Sequence, residues 1–383
     1  MLCIITDPLF KNDAICMHKV SLLRRLCQKK RIICREASSL GEAAELLKQN
    51  GGSAVLFAAT SKFAFQTIKL NLRYGVNLII ADCNRLPEYR SVFSSVSYDW
   101  LTTLSEIFTY LEEYNIQNVA VFGINRSLEN HVLIANTIVE YMPWLQCNGE
   151  QVFPLYDTLD MCFRSFFRHI YSFEAVICPN DMIAVYLINR LKKNDESLLK
   201  KLFIISLESS MLGKYYPISV TSFSDRNYIM AQKILEIHMH SGKGDGVAGH
   251  YSIRHELKIG ASTRMKPFNR KKLLFPSTIG SFEKPVITFD NPIIHITADE
   301  DFQNLLNIEH LLQICSAYEF RMLADILKFN SYEEIAEDMG ISVDSVKYYT
   351  RKLFSSVELK SRVKLKASFS EYLSADDILK QNI

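Results

Sequence analysis

The chain has 383 residues, 48% of them apolar and 22% charged, a composition that excludes a disordered chain and provides for more than one core. Forty-four basic and 42 acidic side chains nearly cancel, so the net charge of +2 gives no argument about a polyanionic partner. The sequence opens without a basic, apolar leader and contains no run of the roughly 20 apolar residues that a membrane span needs. We therefore expect a cytoplasmic protein that is neither secreted nor inserted in a membrane.

The nine cysteines are scattered and never form a C-x-x-C pair. Such a pattern is typical of reduced, mostly buried thiols, and it predicts neither a metal site nor a cofactor.

Residues 1–264 alternate apolar, β-branched runs with stretches of helical period. The strand-like runs begin at Leu2, Arg31, Ser53, Val76, Asn118, Ala175 and Leu202. Continuous apolar strands separated by helices indicate parallel sheets that are covered on both faces.

These alternations are too many for one sheet, which predicts an α/β fold of two lobes, each a doubly wound parallel sheet. We place lobe 1 at about 1–98 and 225–248, and lobe 2 at about 99–224 and 249–264. Because ligands bind beyond the carboxyl ends of the strands in open α/β sheets, facing lobes would enclose a binding cleft.

Residues 265–307 differ in composition from the alternating region that precedes them. The stretch MKPFNRKK is basic, turn residues follow it, and VITFD and IIHITAD are isolated strand-like pieces. We interpret this segment as a linker with one hairpin, followed by an all-helical domain over 308–383.

The helical domain contains two capping-box patterns. Ser331 with Glu334, and Ser316 with Glu319, can each satisfy two backbone N–H groups at the start of a helix. After the first of these helices, Gly340 allows a sharp turn and Ser342 can cap the next helix. The spacing predicts a helix-turn-helix between Ser331 and Leu353, with a supporting helix before it and a closing helix over 360–373.

Charge is divided unevenly within this motif. Its first helix carries four acidic residues, whereas the stretch from Lys347 to Lys366 holds seven basic residues against Glu358 alone. This partition favours DNA contact by the second helix, and the alternative is a solvated face of a small interaction domain.

The stretch from Ile314 to Leu365 resembles the LuxR-type (NarL-type) DNA-binding domain. The matching residues are Ile341-Ser342, Ser345-Val346-Lys347, Lys352-Leu353 and Lys360-Ser361-Arg362-Val363. The resemblance implies that Lys347, Tyr348 and Arg351 enter the major groove, with Ser345, Lys352 and Arg362 nearer the DNA backbone. Tyr349 stands where the family usually has histidine, and Asp344 places a carboxylate beside the DNA.

Residues 1–263 resemble, collinearly, the effector-binding domain of lactose-repressor and galactose-repressor (LacI/GalR-type) proteins. The matching stretches are Asn180-Asp181 after a strand, FIISLESSMLGKYYPISVTSF from Phe203, SDRNYIMAQKIL from Ser224 and HELKIGAST from His255. That family carries its helix-turn-helix at the N-terminus, so the order of the domains would be reversed here.

The same resemblance implies a sugar site in the cleft, because carboxylates accept strong hydrogen bonds from hydroxyl groups. Asp99 and Asp225 fall where the family binds sugar hydroxyls. The further predicted ligand residues are Asp7, Phe10, Trp100, Asp181 and His131, with Asn130 as the alternative to His131.

We therefore predict a homodimeric, sequence-specific transcription regulator that binds a double-stranded DNA operator and responds to a sugar or sugar derivative. Two alternatives are a regulator with a degenerate sensor that responds to a protein or to another metabolite, and a response-regulator-like protein. A transport binding protein, which can share the two-lobed fold, would carry an export signal and would lack a DNA-binding tail, and neither is expected here. The sequence has no G-x-S-x-G, P-loop, H-E-x-x-H or dinucleotide motif, so we predict no enzymatic activity.

Overall fold

The computed structural model describes residues 1–49, 52–82, 92–141, 149–155, 157–240, 248–264, 287–288, 299–329, 331–355, 357 and 361–380. The strands in these ranges are β1 (Leu2–Thr6), β2 (Cys34–Ala37), β3 (Ser53–Phe57), β4 (Asn77–Ala81), β5 (Ser94–Tyr98), β6 (Val119–Asn125), β7 (Val152–Leu155), β8 (Ala175–Cys178), β9 (Phe203–Ser206), β10 (Ser222–Phe223), β11 (His250–Ile253) and β12 (Leu257–Lys258). The α-helices up to the linker are α1 (Ala14–Lys29), α2 (Leu40–Gln49), α3 (Ser61–Tyr74), α4 (Trp100–Glu113), α5 (Glu129–Tyr141), α6 (Leu159–Phe167), α7 (Asp181–Asp195), α8 (Met211–Tyr215) and α9 (Asn227–His240). The helices that follow are α10 (Glu300–Ile314), α11 (Ala317–Lys328), α12 (Tyr332–Met339), α13 (Val343–Ser355), α14 (Arg362–Ser370) and α15 (Ala375–Leu379).

Two parallel sheets form the two lobes, which confirms the predicted fold class. The sheet of lobe 1 has the order β11-β5-β4-β3-β1-β2, and the sheet of lobe 2 has the order β7-β6-β8-β9. The inner strands β1, β3 and β4 of lobe 1 are mainly apolar because both faces of the sheet are covered there. Leu2 and Ile4 pack in the core on the side of α1 and α9, whereas Cys3 and Ile5 pack on the side of α2 and α3.

One strand lies in the other lobe from the one predicted. The predicted boundary placed residues 249–264 in lobe 2, but β11 pairs in parallel with β5 at the edge of the lobe 1 sheet, with His250 opposite Ser95. Only after Ile253 does the chain reach lobe 2, where β12 pairs with β10. The difference arises because a short edge strand is defined by its non-local partner rather than by its own pattern.

The helix α10 begins inside the segment that was predicted to be a linker. It presents Phe302, Leu305, Ile308 and Leu312 as an apolar stripe, and it packs against α6 and α8 of lobe 2 and against α1 of lobe 1. The linker prediction is therefore wrong from residue 300 onwards. Of the predicted hairpin pieces, the structure describes only 287–288 and Asp299, and the rest lies outside the described residues.

The C-terminal helices begin where the capping patterns predicted. Both capping boxes are present, at Ser316–Glu319 and at Ser331–Glu334, and Gly340 ends α12 in the left-handed conformation with φ of 65°. The closing helix is shorter than predicted, since α14 ends at Ser370 and a third capping box starts α15 at Ser374. The apolar core of these helices is continuous with that of lobe 2, and the rings of Tyr215 and Phe320 are 5.3 Å apart.

Among the described helices, none combines the length and hydropathy that a membrane crossing requires.

Candidate ligand cavities and nucleic-acid surface

The central cavity lies between the lobes, beyond the carboxyl ends of β3 and β4 on one side and of β6, β8 and β9 on the other. Its lining includes three predicted ligand residues, Phe10, Trp100 and His131. The cavity has a volume of about 40 Å³, which is room for a few water molecules.

A buried lysine occupies most of this space. Lys19 projects from α1 and is 4% exposed, and its Nζ lies 2.5 Å from Asp82 Oδ2, after β4, and 3.4 Å from Glu208 Oε1, after β9. Burial disfavours the charge on Lys19, but the two carboxylates outweigh it and hold the lysine pKa well above its usual value. Burial raises the pKa of Glu208 to about 7, against the opposing effect of Lys19. Because Lys19 belongs to lobe 1 and Glu208 to lobe 2, this ion pair joins the lobes.

Aromatic rings pack beside the ion pair. The His255 ring lies 4.2 Å from the ring of Tyr98 and 6.4 Å from that of Trp100. Burial lowers the pKa of both His255 and His131 to about 4, so that both are neutral at physiological pH. His131 Nδ1 accepts a hydrogen bond from the backbone N–H of Asn125, which sets its tautomer.

A second cavity, the side pocket, lies at the same lobe boundary on the side of α10. Its volume is about 320 Å³, within the range of small-molecule sites. It is bounded by α1, the segment from Ser209 to Gly213, the strands β10 and β12, and α10. The remaining predicted ligand residues that line a cavity, Asp181 and Asp225, lie here.

Asp181 forms the inner wall of the side pocket. It is 2% exposed, and its Oδ2 accepts a hydrogen bond from the backbone N–H of Ser210, whereas Oδ1 has no hydrogen-bond partner among the described residues. Burial raises the pKa of Asp181 to about 7. A Cβ at Gly213 would lie 2.2 Å from this carboxylate, so only glycine fits beside it.

The connector helix α10 forms the opposite wall. Glu309, buried on α10, accepts hydrogen bonds from the backbone N–H groups of Met211 at 2.9 Å and Leu212 at 2.7 Å in lobe 2. One turn later, Gln313 Nε2 donates to Glu309 and to the backbone carbonyl of Ala14 at 3.3 Å in lobe 1. The helix that leads to the C-terminal domain is therefore attached to both lobes at the side pocket.

Two predicted ligand residues line neither cavity. Asp7 accepts hydrogen bonds from the backbone N–H groups of Leu9, Ala59 and Thr60, and joins the ends of β1 and β3. Asp99 caps α4 by accepting from the N–H of Thr102, and lies 3.4 Å from Arg254 Nε. Both positions are explained by local hydrogen bonding.

The outer face of α13 carries the residues predicted to enter the major groove. Tyr348 is 63% exposed, Arg351 is exposed, and the Lys347 ammonium lies 3.9 Å from the fully solvated carboxylate of Asp344. Ser345 contributes to the start of this helix, where its backbone N–H donates to Ser342 Oγ.

Lys352 and Arg362, predicted to lie nearer the DNA backbone, contact other helices of this domain. Lys352 Nζ lies 2.6 Å from Glu319 Oε1, and Arg362 donates to the carbonyl of Phe329 and stacks over the Tyr332 ring. Burial disfavours ionisation of Glu319, but hydrogen bonds from Lys352 and Ser316 outweigh it and lower the glutamate pKa to about 2. Since both cations have partners inside the domain, they are less available to phosphates than Lys347 and Arg351.

Sequence reasoning missed Lys19 and Glu309. Both stand at buried positions within apolar helical stripes, Lys19 between Cys16 and Val20 and Glu309 beside Ile308. The sequence signal that could have identified them is a charged residue on an otherwise apolar helix face, because a fully buried ion needs a partner. The sequence does not reveal which partner.

Neither a protein-family model nor a curated protein sequence matches this chain. Solved structures do match. A LacI family transcriptional regulator from Enterococcus faecium with bound ribose has 13% identity and a TM-score of 0.55, with 70% of this chain and 100% of that chain covered. The Lac repressor bound to ONPG in the repressed state has 11% identity and a TM-score of 0.57, with 69% and 81% covered. The transcriptional regulator CelR in its cellobiose complex has 12% identity and a TM-score of 0.55, with 68% and 84% covered. At these identities the likeness establishes the two-lobed fold alone.

Proposed function

We propose that this protein is a DNA-binding transcription regulator whose C-terminal helices are controlled by a sugar-like effector bound at the boundary of the two lobes. The observation that carries the proposal is the position of α10. This helix contacts both lobes through Glu309 and Gln313 and leads, after Cys315, directly into the supporting helix of the C-terminal domain.

The attachment of α10 provides a route for control. A ligand that binds one arrangement of the lobes more tightly shifts the equilibrium towards it by the difference in affinity. Because α10 packs on both lobes, a change in their relation alters its contacts and thereby the placement of α11 to α14.

The α13 face supports the DNA-binding part of the proposal. Lys347 and Arg351 are one helical turn apart on a solvated face with Tyr348 between them, and guanine edges in the major groove accept hydrogen bonds from such cations. Two of the four acidic side chains of α12 have partners inside the domain, Glu334 in a capping box and Asp338 in an ion pair with Arg321 of α11. We also propose a homodimer, because a two-fold assembly presents two recognition helices to a palindromic site.

The sensor fold supports the effector part. The structural neighbours named above hold ribose and cellobiose, and this chain lines its lobe boundary with carboxylates and serine hydroxyls, which suit hydroxyl recognition.

The test is a selection of binding sites from a random-sequence duplex DNA library, followed by affinity measurement on the selected sequence. We expect Lys347→Ala with Arg351→Ala to weaken specific binding by about 1–3 kcal/mol for each side chain that no longer reaches a base edge. The matched control is Lys62→Ala with Lys69→Ala, which removes two exposed lysines from α3 of the sensor and should leave the affinity unchanged. An unaltered affinity in the α13 variant, or failure to enrich any sequence, would refute the proposal.

A further inference from the structure

Two of the cavities at the lobe boundary, the central cavity and the side pocket, differ in the room that they offer to a ligand. The central cavity, where the ligand of a two-lobed sensor is expected, has about 40 Å³ and holds the Lys19 ion pair. The side pocket has about 320 Å³ and is lined by both lobes and by α10. A compact small molecule fits the second without breaking the charged contact that joins the lobes.

The lining of the side pocket selects the ligand by charge. Three carboxylates face it, Asp181 and Glu309 from buried positions and Asp225 from a half-exposed one, whereas the two lysines of the lining, Lys214 and Lys258, are exposed at its rim. An anionic group inside the pocket would face the carboxylates at short range in a poorly solvated wall. Phosphorylated and acidic ligands are therefore disfavoured.

The same lining offers hydrogen-bond acceptors to a neutral ligand. Asp181 Oδ1 is buried and has no partner among the described residues, and a carboxylate oxygen in this state lacks the hydrogen bond that a buried polar atom requires. Ser209, Ser222 and Ser224 add hydroxyls, and Phe223 adds an apolar surface. A ligand that carries hydroxyl donors around an apolar ring face matches these acceptors, hydroxyls and apolar surface.

We propose, on the basis of the regulatory function above, that the side pocket is the effector site and that it takes a compact, uncharged polyhydroxylated ligand whose hydroxyl group donates to Asp181 and which contacts α10 directly. The ligand then touches Ile15 and His18 of lobe 1, Asp181 of lobe 2, and Glu309 and Gln313 of the connector helix. Binding is thereby coupled to the C-terminal domain without opening of the central cavity.

The experiment is isothermal titration of the full chain with neutral monosaccharides and polyols and with the phosphate esters of the same sugars. We expect a neutral compound to bind and its phosphate ester to bind at least tenfold more weakly. Asp181→Asn should weaken binding about tenfold, since it removes a hydrogen bond to a charged acceptor. Ser209→Trp fills the pocket and should abolish binding, and Ser209 has no described side-chain hydrogen bond that the substitution would remove.

The matched control is Ala59→Val, which adds two methyl groups to the central cavity and should leave binding intact. Loss of binding in Ala59→Val with retention in Ser209→Trp would place the effector in the central cavity and overturn this inference while leaving the regulatory function standing. Binding by no uncharged compound of the panel, or preference for the phosphate ester, would also overturn it. The DNA-binding measurement on the α13 variant is independent of all three outcomes. Circular dichroism distinguishes an unfolded Ser209→Trp chain from a folded chain whose pocket is blocked. If Ser209→Trp does not fold, the affinity of Asp181→Asn decides whether the ligand binds in the side pocket.

Discussion

The central cavity and the side pocket lie at one lobe boundary and are built in opposite ways. The central cavity is closed by the chain's own groups, with Lys19 between Asp82 and Glu208 and the packed rings of Tyr98, Trp100 and His255 beside them. The side pocket leaves a buried carboxylate oxygen without a partner among the described residues and an open volume about eight times as large. Contact between two lobes and room for a ligand are therefore separate properties, which one protein can place at different points of the same boundary.

The largest expected loss of folding stability comes from a substitution in the central cavity. Lys19→Met leaves the partly buried carboxylates of Asp82 and Glu208, 17% and 18% exposed, without a cation. Removing one partner of a fully buried pair destabilises by about 3–5 kcal/mol, and we expect a loss at the lower end of this range because both carboxylates keep some contact with solvent. The loss should be smaller at pH 5 than at pH 8, because the raised pKa of Glu208, about 7, lets this residue take up a proton and become neutral. Urea unfolding of Lys19→Met and of the native chain at both pH values measures this loss of stability. Lys62→Met, at an exposed position, is the control, and a loss below about 1 kcal/mol at pH 8 would contradict the importance of this ion pair.

A smaller effect is expected where α10 forms the wall of the side pocket. Glu309→Ala removes the acceptor for the N–H groups of Met211 and Leu212, and an unsatisfied buried donor costs about 1–3 kcal/mol. Faster amide hydrogen exchange at these two residues, together with a lower unfolding midpoint, is the expected result. Glu300→Ala, on the exposed side of the same helix, should change neither. Unchanged exchange at Met211 and Leu212 would show that α10 is held by its apolar stripe alone.

The smallest expected effect is a pH dependence inside the side pocket. The folded pKa of Asp181, about 7, lies above its unfolded value of 3.8, so ionisation disfavours the folded state and its stabilising contribution is lost as the pH rises from about 4 through 7. Asp181→Asn removes this pH dependence, so the stability of the variant relative to the native chain should rise from pH 4 to pH 8 by at least about 1.4 kcal/mol, the equivalent of one pKa unit. A weaker hydrogen bond between asparagine and Ser210 lowers the stability of the variant equally at both pH values and leaves this rise unchanged. Thermal unfolding across this pH range checks it, with Asp225→Asn as the half-exposed control, and a constant difference between the two pH values would contradict it.

The C-terminal helices could be predicted closely because their signals are local. The capping boxes at Ser316 and Ser331 and the left-handed Gly340 depend on residues three or four apart, and each is present. The doubly wound sensor was also predictable, since buried parallel strands must be apolar on both faces. Edge strand β11 and helix α10 were not, because each is positioned by distant partners.

The candidate site shows the same division. The sequence predicted one ligand site for Phe10, Trp100, His131, Asp181 and Asp225. In the structure the first three line the central cavity and the last two line the side pocket, and the sequence did not distinguish these two groups. Lys19 and Glu208 are 189 residues apart, and their hydrogen bond exists only when the two lobes meet.

The two classes of architecture in this protein, a two-lobed α/β unit and a helical C-terminal domain, are predictable from the sequence because strand periods, helix periods and helix caps depend on neighbouring residues. The attachment of α10 to both lobes, the ion pair in the central cavity and the separate pocket beside it arise from tertiary contacts. Those features depend on which buried charges face each other across the chain, and burial makes such pairing obligatory without specifying the partner in the sequence.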